Sequence, residues 1–182
     1  MAMAANQPIL TLESVAFLGA EGLGVAAATV VGQCFGRGRP EDARRAGAFA
    51  ALASAVVLGA FGLLTWATGQ WTVPLFVAPG EDGSALMALA ALTLPILALE
   101  QPIMAAAMVL GHALRGAGDT RSPVVTAVVG GLVLRLSCSW LFAVTWGWGL
   151  RGIWLATALD WFVRTLILGA IFARGRWQSL KL

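Results

Sequence analysis

Glu100, Arg135, Asp160 and Arg164 each stand inside a long apolar stretch of this 182-residue chain. A charge in such a position is costly against lipid, so each must face the protein interior or a wet cavity. Asp160 and Arg164 are four residues apart, the spacing of an ion pair on one helical face. Two roles are open for them. Asp160 can bridge Arg164 or Arg135 and fix helix packing, or the network can change partners as a cavity opens and closes. Glu100 has no basic residue within reach on its own helix. Proximity to Arg135 would favour its ionised form, whereas burial alone favours the neutral acid. A carboxyl able to change state in a wet membrane cavity suits proton coupling or cation binding; the alternative is a static hydrogen bond or ion pair.

Met104, Ala107 and Gly111 fall near the same helical face as Glu100. Methionine packs adaptably, so a Met-lined wall would suit a site of broad specificity, though core packing is the plainer role. Pro95 and Pro102 in this stretch predict an irregular backbone, because proline removes a helix bond and crowds the preceding turn. Broken helices often line transporter cavities. Gln33, at the end of the first apolar stretch, can bond across helices. His112, the only histidine, is read as structural. Cys34 and Cys138 form no disulfide framework and no metal spacing, and no metal site or cofactor is expected. No nucleophile–base–orienter set is present, which argues against an enzyme.

The elements that position these residues follow from composition. The chain is 59% hydrophobic and 12% charged, against roughly 25% charged in an ordinary soluble domain. A small globule cannot hide that much apolar surface, so the chain belongs in a lipid bilayer. Five apolar segments approach the ~20 residues needed to span it: 9–32, 46–70, 84–114, 123–146 and 152–173. The first is the weakest, being interrupted by Glu13 and Glu21 and loosened by Gly19, Gly22 and Gly24. The fold class is therefore an all-α integral membrane protein, followed at 178–182 by a short basic tail.

The connections differ in charge. "RGRPEDARR" (Arg37–Arg45) carries four arginines, "RGAGDTR" two, and the C-terminal "RGRWQSLKL" three basic residues. On the opposite side, Gln70–Ser84 has Glu81 and Asp82 and no basic residue, and the last turn has only Arg151. Nine basic residues against one is the bias that marks a cytoplasmic face, placing the N-terminus outside and the C-terminus in the cytoplasm. Trp66, Trp71, Trp146, Trp148 and Trp154 near the outer ends, and Trp177 near the inner end, agree with it. This loop-following pattern, together with the lack of any basic stripe, argues against nucleic-acid binding. Counted from Gly149, Arg135 lies 14 residues back, Asp160 11 forward and Arg164 15 forward. At about 1.5 Å per residue they share a middle layer with Glu100.

"GHALRGAGDT" has the look of a phosphate loop but follows an apolar helix and lacks the Lys-Ser/Thr pair. It is read as a tight turn permitted by Gly116 and Gly118, with Asp119 or Ser122 capping the next helix and Pro123 in its first turn.

"GLGVAAATVVGQCFGRGRPEDARRA", "LEQPIMAAAMVLGHALRGAGDTRSP" and "GLRGIWLATALDWFVRTLILGAIFARGRW" together closely resemble the multidrug and toxic compound extrusion (MATE) family, especially its bacterial DinF-like and NorM-like members. The resemblance covers roughly residues 11–177. It implies helices eight to twelve of a twelve-helix protein, so that residues 9–177 are a partial C-terminal lobe and the N-terminal lobe is expected elsewhere or on a second chain. It further implies export of cationic or amphipathic compounds by antiport with H⁺ or Na⁺ across the bacterial inner membrane. Glu100, Met104, Arg135, Asp160 and Arg164, singled out above by their places in the apolar stretches, are the candidates for substrate or ion binding. Gln33, Gly36, Arg115, Gly116, Gly118 and Asp119 match positions that end helices at the cytoplasmic face. Some members carry a coupling acid in the tenth helix, which falls near Met104 here, with Glu100 one turn earlier. A flippase for lipid-linked precursors, with Arg135 and Arg164 meeting a pyrophosphate, is the alternative transporter; a structural membrane fragment is the alternative of another class.

Overall fold

A computed structural model describes residues 2–77 and 83–179, so Glu81, Asp82 and the last three residues of the basic tail lie outside the described residues. Among those described, five helices are long and apolar enough to cross a membrane. They are α1 (Ala2–Gly36), α2 (Pro40–Thr72), α3 (Ser84–Gly116), α4 (Arg121–Thr145) and α5 (Gly149–Arg174).

The helices run longer than apolar content alone marks. α1 continues through Glu13 and Glu21 because Ala16, Ala20, Ala27 and Val31 give it one buried face. Its Gly24 does not loosen it. A Cβ there would sit 2.5 Å from His112 Cδ2, so the glycine makes room for the imidazole of α3. α2 begins at Pro40 rather than residue 46, since proline suits the first turn and Glu41 and Asp42 complement the helix dipole there. The arginine-rich connection shrinks to Arg37–Arg39, and Gly38 (φ +72°), not Gly36, supplies its left-handed conformation. α2 then buries Ala43, Gly47, Ala51, Ser54, Leu58, Gly62, Thr65 and Gly69, a seam of mostly small side chains that lets its backbone approach α3.

α3 is the central helix, packed against α1, α2 and α5. It stays α-helical through Pro95 and Pro102, contrary to the irregularity expected of it. Pro102 cannot donate to the Ala98 carbonyl, and Gly62 of α2 packs directly there: a Cβ on Gly62 would lie 3.1 Å from that oxygen. The irregular helix is instead α4. Its Val129–Arg135 and Trp140–Thr145 segments are π-helical, an arrangement found at functional sites more often than elsewhere. α4 packs mainly on α5 and leaves most of its surface uncovered.

The α3–α4 turn is the expected helix junction. Gly118 (φ +91°) makes the turn, and Asp119 Oδ1 accepts the Ser122 N–H at 3.0 Å, so Asp119 rather than Ser122 serves as the cap. Gly116 has another role. A Cβ on it would lie 2.8 Å from Ala28 Cα, and one on Gly32 would lie 3.1 Å from the Gly116 carbonyl oxygen. Small residues here seat α1 on α3. Gly116→Val is expected to cost about 1–3 kcal/mol by overpacking this crossing, read as a lowered unfolding midpoint in detergent; an unchanged midpoint would contradict the close approach.

The arginine-bearing ends gather on one side of the bundle. Gln178 Nε2 donates to the Pro40 carbonyl at 3.3 Å, and Trp177 packs its ring 6.1 Å from Phe35 and 5.0 Å from Phe172. Two tryptophans differ from the interfacial expectation. Trp154 and Trp177 are buried and lock helix ends together, Trp177 donating its indole N–H to the Phe172 carbonyl at 3.0 Å.

Candidate functional site

The buried apolar residues fall into two clusters. The one toward the acidic connection contains Ile9, Val73, Leu94, Leu97 and Trp154; the one toward the arginine-rich end contains Ala16, Met104, Leu114, Trp161 and Leu168. Between them runs a polar layer, with one acid from each of three helices. Glu13 separates Leu12 from Ala16 on α1, Glu100 separates Leu97 from Met104 on α3, and Asp160 separates Trp154 from Trp161 on α5.

Asp160 is fully buried and accepts from both arginines. Arg164 Nε and Nη2 donate to its two oxygens at 2.7 and 2.8 Å, and Arg135 Nε adds a bond at 3.0 Å. The packing role foreseen for Asp160 is thus met by both partners at once. Both guanidiniums also sit over the Trp161 ring, 4.7 Å (Arg164) and 5.7 Å (Arg135) from its centre, where the ring face attracts cations. Gly130 and Gly131 of α4 lie against this group. A Cβ on Gly131 would approach Arg164 Nη2 to 2.8 Å, and one on Gly130 would collide with the Asp160 carboxylate. Only glycines let the π-helical stretch come this near.

Glu100 stands apart from that trio. It is 0% exposed, yet among the described residues neither carboxyl oxygen has a hydrogen-bond partner, and the same holds for both side-chain polar atoms of neighbouring Gln101. The static hydrogen bond or ion pair considered for it is absent, because Arg135 has been drawn to Asp160. Glu100 remains within electrostatic reach of Glu13, Arg135 and Asp160. Glu13 likewise feels Arg135.

The remaining candidates separate. Met104 is buried in the core cluster with Ala16 and Ala20. Met108, with Ala107 and Gly111, lines a pocket of about 130 Å³ on the arginine-rich side of the polar layer. Trp161, Arg164, Glu21, His112 and Arg115 are among its polar and aromatic lining. His112 Nε2 lies 3.1 Å from Glu21 Oε1, tying α3 to α1, which gives its structural role a specific partner. Gln33 is exposed rather than bonded across helices, and Gly36 is exposed at the end of α1. Thr165 adds a cross-helix bond, donating to the Ile103 carbonyl at 2.8 Å.

Glu13, Gln101 and Trp161 are the site residues that sequence reasoning passed over. The signal for Glu13 was present, an acid inside an apolar span, but it was read only as weakening that span. The layer brings together three acids and two arginines, and among the described residues Asp160 is the acid the arginines bond. Such a group can redistribute protons or cations with little movement.

The MatE family profile matches residues 1–141. The chain belongs to the MatE family. Over 163 residues this MatE chain is 31% identical to a probable multidrug resistance protein NorM of Bradyrhizobium diazoefficiens, covering 89% of the chain and 35% of that protein. Over 170 residues it is 32% identical to its namesake in Rhodopseudomonas palustris, covering 92% of the chain and again 35% of the relative. The crystal structure of the eukaryotic MATE transporter AtDTX14 superposes with a TM-score of 0.87 at 21% identity, over 98% of this chain and 39% of that one. The all-α membrane fold is therefore that of the family, and the MatE chain is a multi-pass membrane protein spanning about a third of the length of these relatives.

Proposed function

We propose that this chain forms most of the C-terminal lobe, helices eight to twelve, of a multidrug exporter that exchanges H⁺ or Na⁺ for cationic or amphipathic compounds. The observation that carries the reading is Glu100: wholly buried, without a hydrogen-bond partner, in a layer shared with Glu13 and Asp160. An unbonded buried carboxyl costs stability, so its presence is most simply explained by use. Glu100 is then the coupling acid, Glu13 its neighbour across the α1–α3 contact, and the Arg135–Asp160–Arg164 trio the charged group against which they act. The Met108–Trp161 pocket offers an amphipathic compound apolar and aromatic walls.

The uncovered faces of α1 and α4 are where an N-terminal lobe or second chain completes the route. On this reading the arginine-rich end faces the cytoplasm, as the bias of the basic connections favours, and the protein sits in the bacterial inner membrane, a location its likeness to bacterial NorM proteins supports. The lipid-pyrophosphate alternative is less well supported, since both arginines are already engaged by Asp160.

Uptake of ethidium into inverted membrane vesicles containing the protein tests the reading. Uptake is expected to follow an imposed H⁺ or Na⁺ gradient and to stop when both are dissipated. Uptake indifferent to both would contradict antiport.

A further inference from the structure

We infer that Arg135 is a mobile counter-ion, which leaves Asp160 for the Glu100–Glu13 pair when those acids are ionised, and that the π-helical stretch of α4 supplies the movement. This rests on the proposed role of Glu100 as a residue that changes charge.

Four observations converge on Arg135. The two arginines share Asp160 unequally: Arg164 holds both oxygens, whereas Arg135 holds one through Nε alone. Losing Arg135 therefore leaves Asp160 with a complete two-bond partner. Next, among the described residues Arg135 Nη2 is buried without an acceptor, and both oxygens of Glu100 are buried without a donor. Donor and acceptors are thus unmatched in one polar layer. Then, Arg135 bonds Asp160 of α5 in the same polar layer that holds Glu13 of α1 and Glu100 of α3, between the two apolar clusters. Finally, Arg135 ends the seven-residue π-helical segment Val129–Arg135.

The last observation supplies the mechanism. A π-helical stretch closes its hydrogen bonds one residue farther along than an α-helix. Returning it to α geometry shifts the register by one residue, a rotation of about 100° for everything beyond. Arg135 is carried with that rotation, while Gly130 and Gly131 keep the near side of α4 free of side chains that would catch on Arg164. α4 packs mainly on α5, so the turn is made against that one helix, and the bare backbone of Gly152 is the surface on which Phe142 and Ala143 must shift. With Glu100 and Glu13 neutral, Asp160 is the stronger attractor and α4 stays π-helical. With either ionised, two carboxyls compete for one guanidinium, and Arg164 remains to neutralise Asp160. The charged groups facing Glu100 across the helix contacts are Glu13, Arg135, Asp160 and, behind Asp160, Arg164.

The test uses spin labels at Val144→Cys on α4 and Leu166→Cys on α5, both exposed, with Cys34 and Cys138 changed to serine. Distances are measured by pulsed electron resonance in lipid nanodiscs as pH is raised. The label distance is expected to shift on the order of 5 Å, set by a helix radius and the register rotation. R135K should keep the shift, because it keeps the cation; R135Q and the double variant E13Q/E100Q should abolish it. A shift that survives in R135Q, or none in the unsubstituted pair, overturns the inference. If the shift is absent while E100Q still abolishes coupled export, Arg135 is static and the coupling role of Glu100 stands. If the shift is present while E100Q exports normally, Arg135 moves and the coupling role fails.

Discussion

Asp160→Asn is expected to destabilise the protein by about 3–5 kcal/mol, the usual result of removing one partner from a buried charge group. The substitution keeps the shape of the side chain and removes only its charge. Two guanidiniums then remain together against Trp161, one of them largely enclosed, with no anion between them. The loss is concentrated where α5 meets α4, since that contact depends on Asp160 more than on apolar burial: α4 has few buried side chains. Unfolding in detergent should show the lowered midpoint, and amide exchange should show α4 losing protection first. A cost below about 1 kcal/mol, the range of a solvated surface pair, would mean that water reaches the trio.

Glu100→Leu is expected to act in the opposite direction. Glu100 is as buried as Asp160, but nothing bonds it. Leucine of similar volume removes the unmet polar atoms, and relief of such a group is worth about 1–3 kcal/mol. The variant should therefore melt higher while losing coupled export. Gain in stability with loss of activity is the pattern of a residue kept for its chemistry. A lowered midpoint would show that Glu100 has a structural partner after all.

These opposite signs come from two residues that the sequence presents alike, as single acids in apolar spans. Depth and helical spacing were enough to group Glu100, Arg135, Asp160 and Arg164, because rise per residue is fixed once the turns are placed. The Asp160–Arg164 pair was legible for the same reason, being four residues apart on one helix. Which acid would win Arg135 was not legible, because that depends on rotation about the helix axes. The rotation of α4 is set by its π-helical turns, which no proline announces. Pro95 and Pro102 draw attention to α3 instead, yet that helix stays regular, with Gly62 packed against the carbonyl that Pro102 frees. Glycines misled in a similar way: Gly116 and Gly24 look like turn or hinge residues and serve close packing between α1 and α3. The five spans themselves were plain, since bilayer thickness imposes a length that composition reveals. Their ends were less so, as Pro40 and the acids after it extend a helix beyond its apolar part.

The central claim is that Glu100 couples export to an ion gradient through its charge. Ethidium export by E100Q and the unsubstituted protein, at matched amounts in the membrane and across a series of imposed H⁺ and Na⁺ gradients, tests it most directly. E100Q is expected to lose at least tenfold of the gradient-driven rate while inserting and melting normally. Equal rates at every pH and Na⁺ concentration would contradict it.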